Sequence, residues 1–250
     1  MKPAFLTQKP KSRGFWGLVL LAAILGVLFW KSFLPDYVHF SNDGPLGQQN
    51  PEWVKVPSAL TSAWDDLNDI GSDAGAAPPS LRTLIQWALG PVGYAKFLVP
   101  IALFILGIGA WTFFRQLKLT PLAATLGALA AALTSTFFSD ACWGVSPHQI
   151  AFGMDFLALA LIVSNSPETP ALVRWARLAL AGFAVGINVM EAADIGAIFS
   201  LFVAAFVFYK ALTEENAPVL KKFSRGIARV AMIAVFAGFI ATQTIVALFG

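Results

Sequence analysis

The chain has 250 residues, of which 57% are hydrophobic and only 12% charged, against roughly 25% charged in soluble domains. A soluble core cannot absorb that much apolar surface, and the mean hydropathy of +0.70 agrees. The pI near 9.1 does not mark a nucleic-acid partner, because the Lys and Arg residues sit in short inter-helix segments rather than along one face. A single cysteine, Cys142, excludes an intrachain disulfide framework and any multi-cysteine metal site.

The apolar residues fall into separate runs of about 20, each long enough to cross a hydrocarbon core about 30 Å thick as a helix. Membrane β-strands alternate over about 10 residues and do not give such runs. The reading is therefore an all-α polytopic membrane protein with about seven transmembrane helices. The spans fall near 14–34, 92–114, 120–138, 148–164, 173–189, 193–212 and 228–250.

The first span follows a basic segment, 1–13, carrying Lys2, Lys9, Lys11 and Arg13. That segment places the N-terminus in the cytoplasm by the positive-inside rule. At about 21 residues the run exceeds the h-region of a cleaved signal peptide, so it reads as a retained signal anchor. Alternation then puts Arg115 with Lys118, Arg174 with Arg177, and Lys210, Lys221, Lys222, Arg225 and Arg229 inside. It puts Asp43, Asp140, Glu191 and Asp194 outside. Charge and hydropathy give one topology.

A long outer loop, 35–91, follows the first span. Pro45, Gly47, Pro51 and Pro57 break its first half. From Ser58, apolar Leu60, Trp64, Leu67 and Ile70 recur at helical spacing opposite Asp65, Asp66 and Asp69, which predicts an amphipathic juxtamembrane helix. Ser80 is a candidate cap for a second short helix carrying Leu81, Leu84, Ile85 and Trp87. Trp53, Trp64 and Trp87 suit the interface. Further on, the turn Met190-Glu191-Ala192-Ala193 is so short that a re-entrant hairpin competes with two full spans. The segment from Gly14 to Gly250 forms one transmembrane module, and its apolar end allows a longer parent protein.

The sharpest local feature is Phe40-Ser41-Asn42-Asp43-Gly44-Pro45-Leu46-Gly47, just after the first span. An acid held between an amide and a Gly-Pro turn has its direction set near the membrane face; the simpler reading is an Asx-type turn and nothing more. Asp43, Asp140, Glu191 and Asp194 come from three loops at one boundary. Converging carboxylates of that kind either bind a divalent cation such as Mg or Mn through oxygen, with Asp43 and Asp140 as the metal candidates, or provide a general base. His148 either pairs with a phosphate or carboxylate or merely begins a helix. Asp155 lies about two turns into the fourth span, where an ionisable group is costly. It marks either a functional site or a hydrogen bond to a neighbouring helix, with Thr134 or Ser135 as partner. The nucleotide-binding, zincin and α/β-hydrolase motifs are absent from the sequence.

This organisation resembles the membrane glycosyltransferases of the GT-C superfamily, and among them bacterial YfhO-like membrane proteins. The shared features are an inside N-terminus, a first span followed at once by the Asp43 motif, a large outer loop with juxtamembrane helices, and about seven spans. Asp140 and the turn Asn188-Val189-Met190-Glu191-Ala192-Ala193-Asp194 add a weaker likeness. The resemblance implies sugar transfer from a polyprenyl-phosphate-linked donor among membrane lipids to an extracytoplasmic acceptor. Asp43 would be the acceptor-activating carboxylate and Asp140 the second acid. Asn42, His148, Arg82, Lys96, Glu191 and Asp194 would contact substrate, with His148, Arg82 or Lys96 steadying the leaving phosphate. Family members commonly pair acids in the first loop, whereas Asn42 and Gly44 flank Asp43 here. Two other readings follow from the same residues: a non-catalytic scaffold or accessory subunit of a larger membrane assembly, and a transporter or channel built around Asp155.

Overall fold

The computed structural model describes residues 15–55, 80–166, 168–213 and 218–249. Its described residues form an all-helical bundle. The helices are α1 (Phe15–Leu28), α2 (Leu46–Lys55), α3 (Leu81–Gln116), α4 (Pro121–Leu133) and α5 (Ser135–Asp140). They continue with α6 (Ser146–Val163), α7 (Ala171–Glu191), α8 (Ala193–Leu212) and α9 (Val219–Phe249). A 3-10 turn, Trp30–Phe33, follows α1, and a π-helical turn, Ala141–Val145, joins α5 to α6. The basic segment 1–13 and the amphipathic helix expected from Ser58 lie outside the described residues.

Five helical stretches are long and apolar enough to cross a membrane: Leu81–Gln116, Ser135–Val163, Ala171–Glu191, Ala193–Leu212 and Val219–Val246. The other two expected spans appear as shorter apolar helices, 14 residues in α1 and 13 in α4. At 1.5 Å per residue each covers only about 20 Å, short of a full hydrocarbon core. Large apolar side chains such as Leu201, Phe202, Val235 and Phe239 are exposed on the outside of the bundle. Acyl chains solvate such a surface; water does not.

Small residues set the packing. In the α3 and α6 pair, a Cβ added to Gly109 would fall 2.3 Å from the Gly153 carbonyl oxygen, so the two backbones touch where neither residue has a side chain. Close approach of this kind drives helix association in lipid, where burial of apolar surface gains nothing over contact with tails. One core joins α1, α3 and α4 through Leu21, Leu25, Val99, Leu103 and Ala132. A second joins α6 to α9 through Ala158, Leu178, Val185, Val207 and Ile233.

Local chemistry explains the breaks. The Ser80 hydroxyl accepts the Thr83 amide at 3.1 Å, the cap expected from sequence. The short helix it starts is the one expected: it ends in a kink at Gly90, whose φ 65 and ψ 177 are not helical, and Pro91 opens the long second part of α3. The expected loop at 139–147 is taken up by the end of α5 and the π turn, with a break from helical geometry at Gly144. Ser146 Oγ donates to the Ala141 carbonyl at 3.1 Å across the π turn, and Phe137 and Phe138 pack on Phe152 and Phe29. In the first loop, Pro45 precedes α2 and its carbonyl takes the Gln48 and Gln49 amides. Pro45 starts that helix rather than preventing one, and Pro51 lies within it. Between α7 and α8 only Ala192, in an extended conformation, breaks the helix.

Basic side chains hold one end of the bundle. Lys210 Nζ reaches the carbonyls of Ile162 and Val163 at 3.2 and 3.4 Å, Arg177 reaches Ser164 at 2.6 Å, and Arg115 reaches Leu119 at 2.6 Å. Lys210 and Arg177 meet carbonyls at the C-terminus of α6, where the helix dipole also favours positive charge, and Arg115 braces the loop after α3.

Candidate functional site

At the opposite end, the segment 39–44 is fastened to the π turn. A π turn and Gly144 at φ 109 leave the carbonyls of Cys142 and Trp143 facing away from the helix. The Trp143 carbonyl accepts the amides of Asn42 and Asp43, both at 3.0 Å, and the Ser41 hydroxyl at 3.3 Å. Ser41 Oγ in turn accepts the Gly44 amide at 3.1 Å, closing a tight turn around Asp43. The Cys142 carbonyl takes the remaining bond, from His39 Nε2 at 2.9 Å. A carbonyl only accepts, so His39 Nε2 carries the proton of this bond, and Nδ1 is not engaged by it.

Gly144 is required there. A Cβ at that position would stand 2.2 Å from Ser41 Oγ and 3.1 Å from the amide nitrogens of Asp43 and Gly44. The backbone of the turn occupies the space a side chain would fill.

These residues open into a cavity of about 150 Å³, whose lining includes His39, Ser41, Asp43, Gln48, Gln49, Arg82, Tyr94, Gly144 and Ser146. Its volume holds about five waters. It is below the roughly 300 Å³ of a drug-sized ligand site, and suits a phosphate or another small polar group. Gln86 Nε2 bonds both the backbone and side-chain oxygens of Gln49, at 3.3 and 3.2 Å, which fixes α2 against α3 behind the cavity.

Asp43 and Arg82 therefore share one cavity although 38 intervening residues separate them in the chain. Asn42 donates from Nδ2 to Asp43 Oδ1 at 3.1 Å, which orients the carboxylate. The Arg82 side chain is exposed and lines the cavity, and its charge also acts on the Glu191 carboxylate. Its backbone amide is spent on Glu191 Oε1, at 3.1 Å. Glu191 thus satisfies the second open amide of α3 from the end of α7, beside the charge of the helix N-terminus.

The other expected residues are elsewhere. Lys96 is buried and donates to the carbonyls of Leu34 and Pro35, tying α3 to the end of the first span. His148 Nε2 stands 4.0 Å from Asp194 Oδ1, pairing the starts of α6 and α8. Asp140 ends α5 and is not part of the cavity lining. Among the described residues no three His, Cys, Asp or Glu side chains gather as a metal site would need. Asp155 is bonded to Asn188 of α7, Nδ2 to Oδ1 at 2.6 Å, rather than to Thr134 or Ser135.

His39, Gln49 and Tyr94 escaped the sequence reading, and Ser41 entered it only as part of the Asp43 motif. A signal for His39 existed, since it is one of only two histidines and lies four residues before Asp43. Tyr94 carried none, because its place depends on how α3 meets α6. No family model, curated protein or solved structure matches the chain.

Proposed function

We propose that this chain is the transmembrane module of a GT-C-type glycosyltransferase of the bacterial inner membrane, with its N-terminus in the cytoplasm and the cavity outside. It transfers a sugar from a polyprenyl-phosphate-linked donor to an extracytoplasmic acceptor. The observation that carries the reading is the shared cavity of Asp43 and Arg82, an oriented carboxylate and an exposed guanidinium in a space of phosphate size.

The chemistry follows from those two groups. The acceptor oxygen forms a bond to the anomeric carbon while the bond from that carbon to the carrier phosphate breaks. Asp43 takes the hydroxyl proton. The electron pair leaves on the phosphate oxygen, whose charge Arg82 stabilises. His39 lines the same cavity, and its Nδ1, not engaged by the Cys142 carbonyl, orients a polar group of the substrate by hydrogen bonding.

The test is transfer of a labelled lipid-linked sugar by purified protein in wild-type, Asp43→Asn and His39→Gln forms. The amide of Asn is nearly isosteric with the carboxylate but is no base, and a loss of at least about 100-fold is expected. Gln at position 39 can still bond the Cys142 carbonyl but lacks Nδ1, so an intermediate loss is expected. Full activity in Asp43→Asn would reduce Asp43 to a turn residue. Failure of the wild type across a panel of donors and acceptors would leave the scaffold reading in its place.

A further inference from the structure

Away from the cavity, the interior of the bundle contains an unusual concentration of unmatched oxygens. Among the buried side-chain atoms with no hydrogen-bond partner are Asp155 Oδ2, Asn188 Oδ1, Glu191 Oε2 and both polar atoms of Gln149. All belong to α6 or α7. Asp155 is 5% exposed, Asn188 and Gln149 0%, and Glu191 6%. The residues are not scattered. Asp155 and Asn188 are bonded directly, and Glu191 lies one helical turn beyond Asn188 on the same face of α7, about 4.5 Å along its axis.

Gln149 leaves one donor, Nε2, unmatched, but the open atoms of the Asp155 and Asn188 pair are all acceptors. Within the bonded pair, Asn188 donates to one carboxylate oxygen, and what remains open is the other carboxylate oxygen and the amide oxygen. Both are acceptors, and Glu191 Oε2 adds a third. A neighbouring helix would satisfy them with a hydroxyl or amide donor, yet none is bonded to them. Unpaired polar atoms cost about 1–3 kcal/mol each, and a buried charge costs more. Carboxylate and amide oxygens without donors are the ligand set of a hard cation. The absence of a third nearby carboxylate, histidine or cysteine among the described residues points to a singly charged ion rather than a divalent one.

We infer that the Asp155 and Asn188 pair binds a monovalent inorganic cation inside the helical bundle, with Asp155 Oδ2 and Asn188 Oδ1 as ligands and Glu191 on the side of the cavity. This site is separate from sugar transfer and does not depend on it. Its ion holds α6 to α7 by giving the paired oxygens the positive charge that no side chain supplies.

The test is thermal unfolding of the purified full chain in detergent, in sodium, potassium and choline chloride at equal ionic strength. Choline is too large to enter a packed helix interface. The expected result is a saturable rise of about 4 °C in the midpoint with sodium or potassium over choline, absent in Asp155→Asn. Equal midpoints in all three salts, or a rise that Asp155→Asn retains, would overturn the inference. Should Asp155→Asn not fold, the sodium NMR line decides: broadening by the wild type that potassium reverses and choline does not supports the site, and no broadening refutes it.

Discussion

Gly144→Ala offers the most direct test of how the site is built. At φ 109 an L side chain is strained by about 1–2 kcal/mol. The added methyl would also lie 2.2 Å from Ser41 Oγ, forcing the turn at 41–44 away from the Trp143 carbonyl. Three donors share that carbonyl, and loosening them costs about 1 kcal/mol more. The sum, about 2–3 kcal/mol, falls on a local contact rather than on the whole bundle, because neither hydrophobic core includes these residues. Amide hydrogen exchange is therefore the right assay. Opening of the Asn42 and Asp43 amides is expected to become about 30- to 150-fold more frequent while the protection of α3 and α6 is kept. Exchange at both amides that is unchanged in the variant would refute the claim that the π turn fastens this segment.

Two other substitutions probe the bundle. Asn188→Leu removes the only amide bonded to Asp155 and leaves the carboxylate alone in an apolar interior, with an expected loss of about 3 kcal/mol in reversible unfolding. The Asp155→Leu, Asn188→Leu double variant should recover most of that loss, and additive single effects would show that the two do not interact. Gly109→Val would place branched carbon against the Gly153 carbonyl and push α3 from α6. Its expected cost is at least about 2 kcal/mol, and a variant with unchanged unfolding would show that the two backbones do not meet there.

Hydropathy runs and charge segregation were enough to read an all-helical bundle, because each helix closes its own backbone hydrogen bonds and needs only its own apolar length to be stable in lipid. The Ser80 cap was legible for the same reason, since its bonding is local, within three residues, as is the Asn42 contact to Asp43; the bonds that fasten that turn to the Trp143 carbonyl are not. What the chain order does not contain is which turns meet. That His39 finds the Cys142 carbonyl, that Arg82 and Asp43 line one cavity, and that Asp155 bonds Asn188 rather than Thr134 depend on tertiary packing, across 33 and 103 positions of sequence for the two hydrogen-bonded pairs. Those contacts follow from how closely glycine-lined helices approach and from a π turn that frees two carbonyls. Neither feature leaves a periodic mark in the sequence. Lys96 shows the consequence most plainly. By position it is a cation at the cavity end of a long helix; only the packing of that helix against the end of the first span turns its ammonium to the carbonyls of Leu34 and Pro35 and away from any ligand.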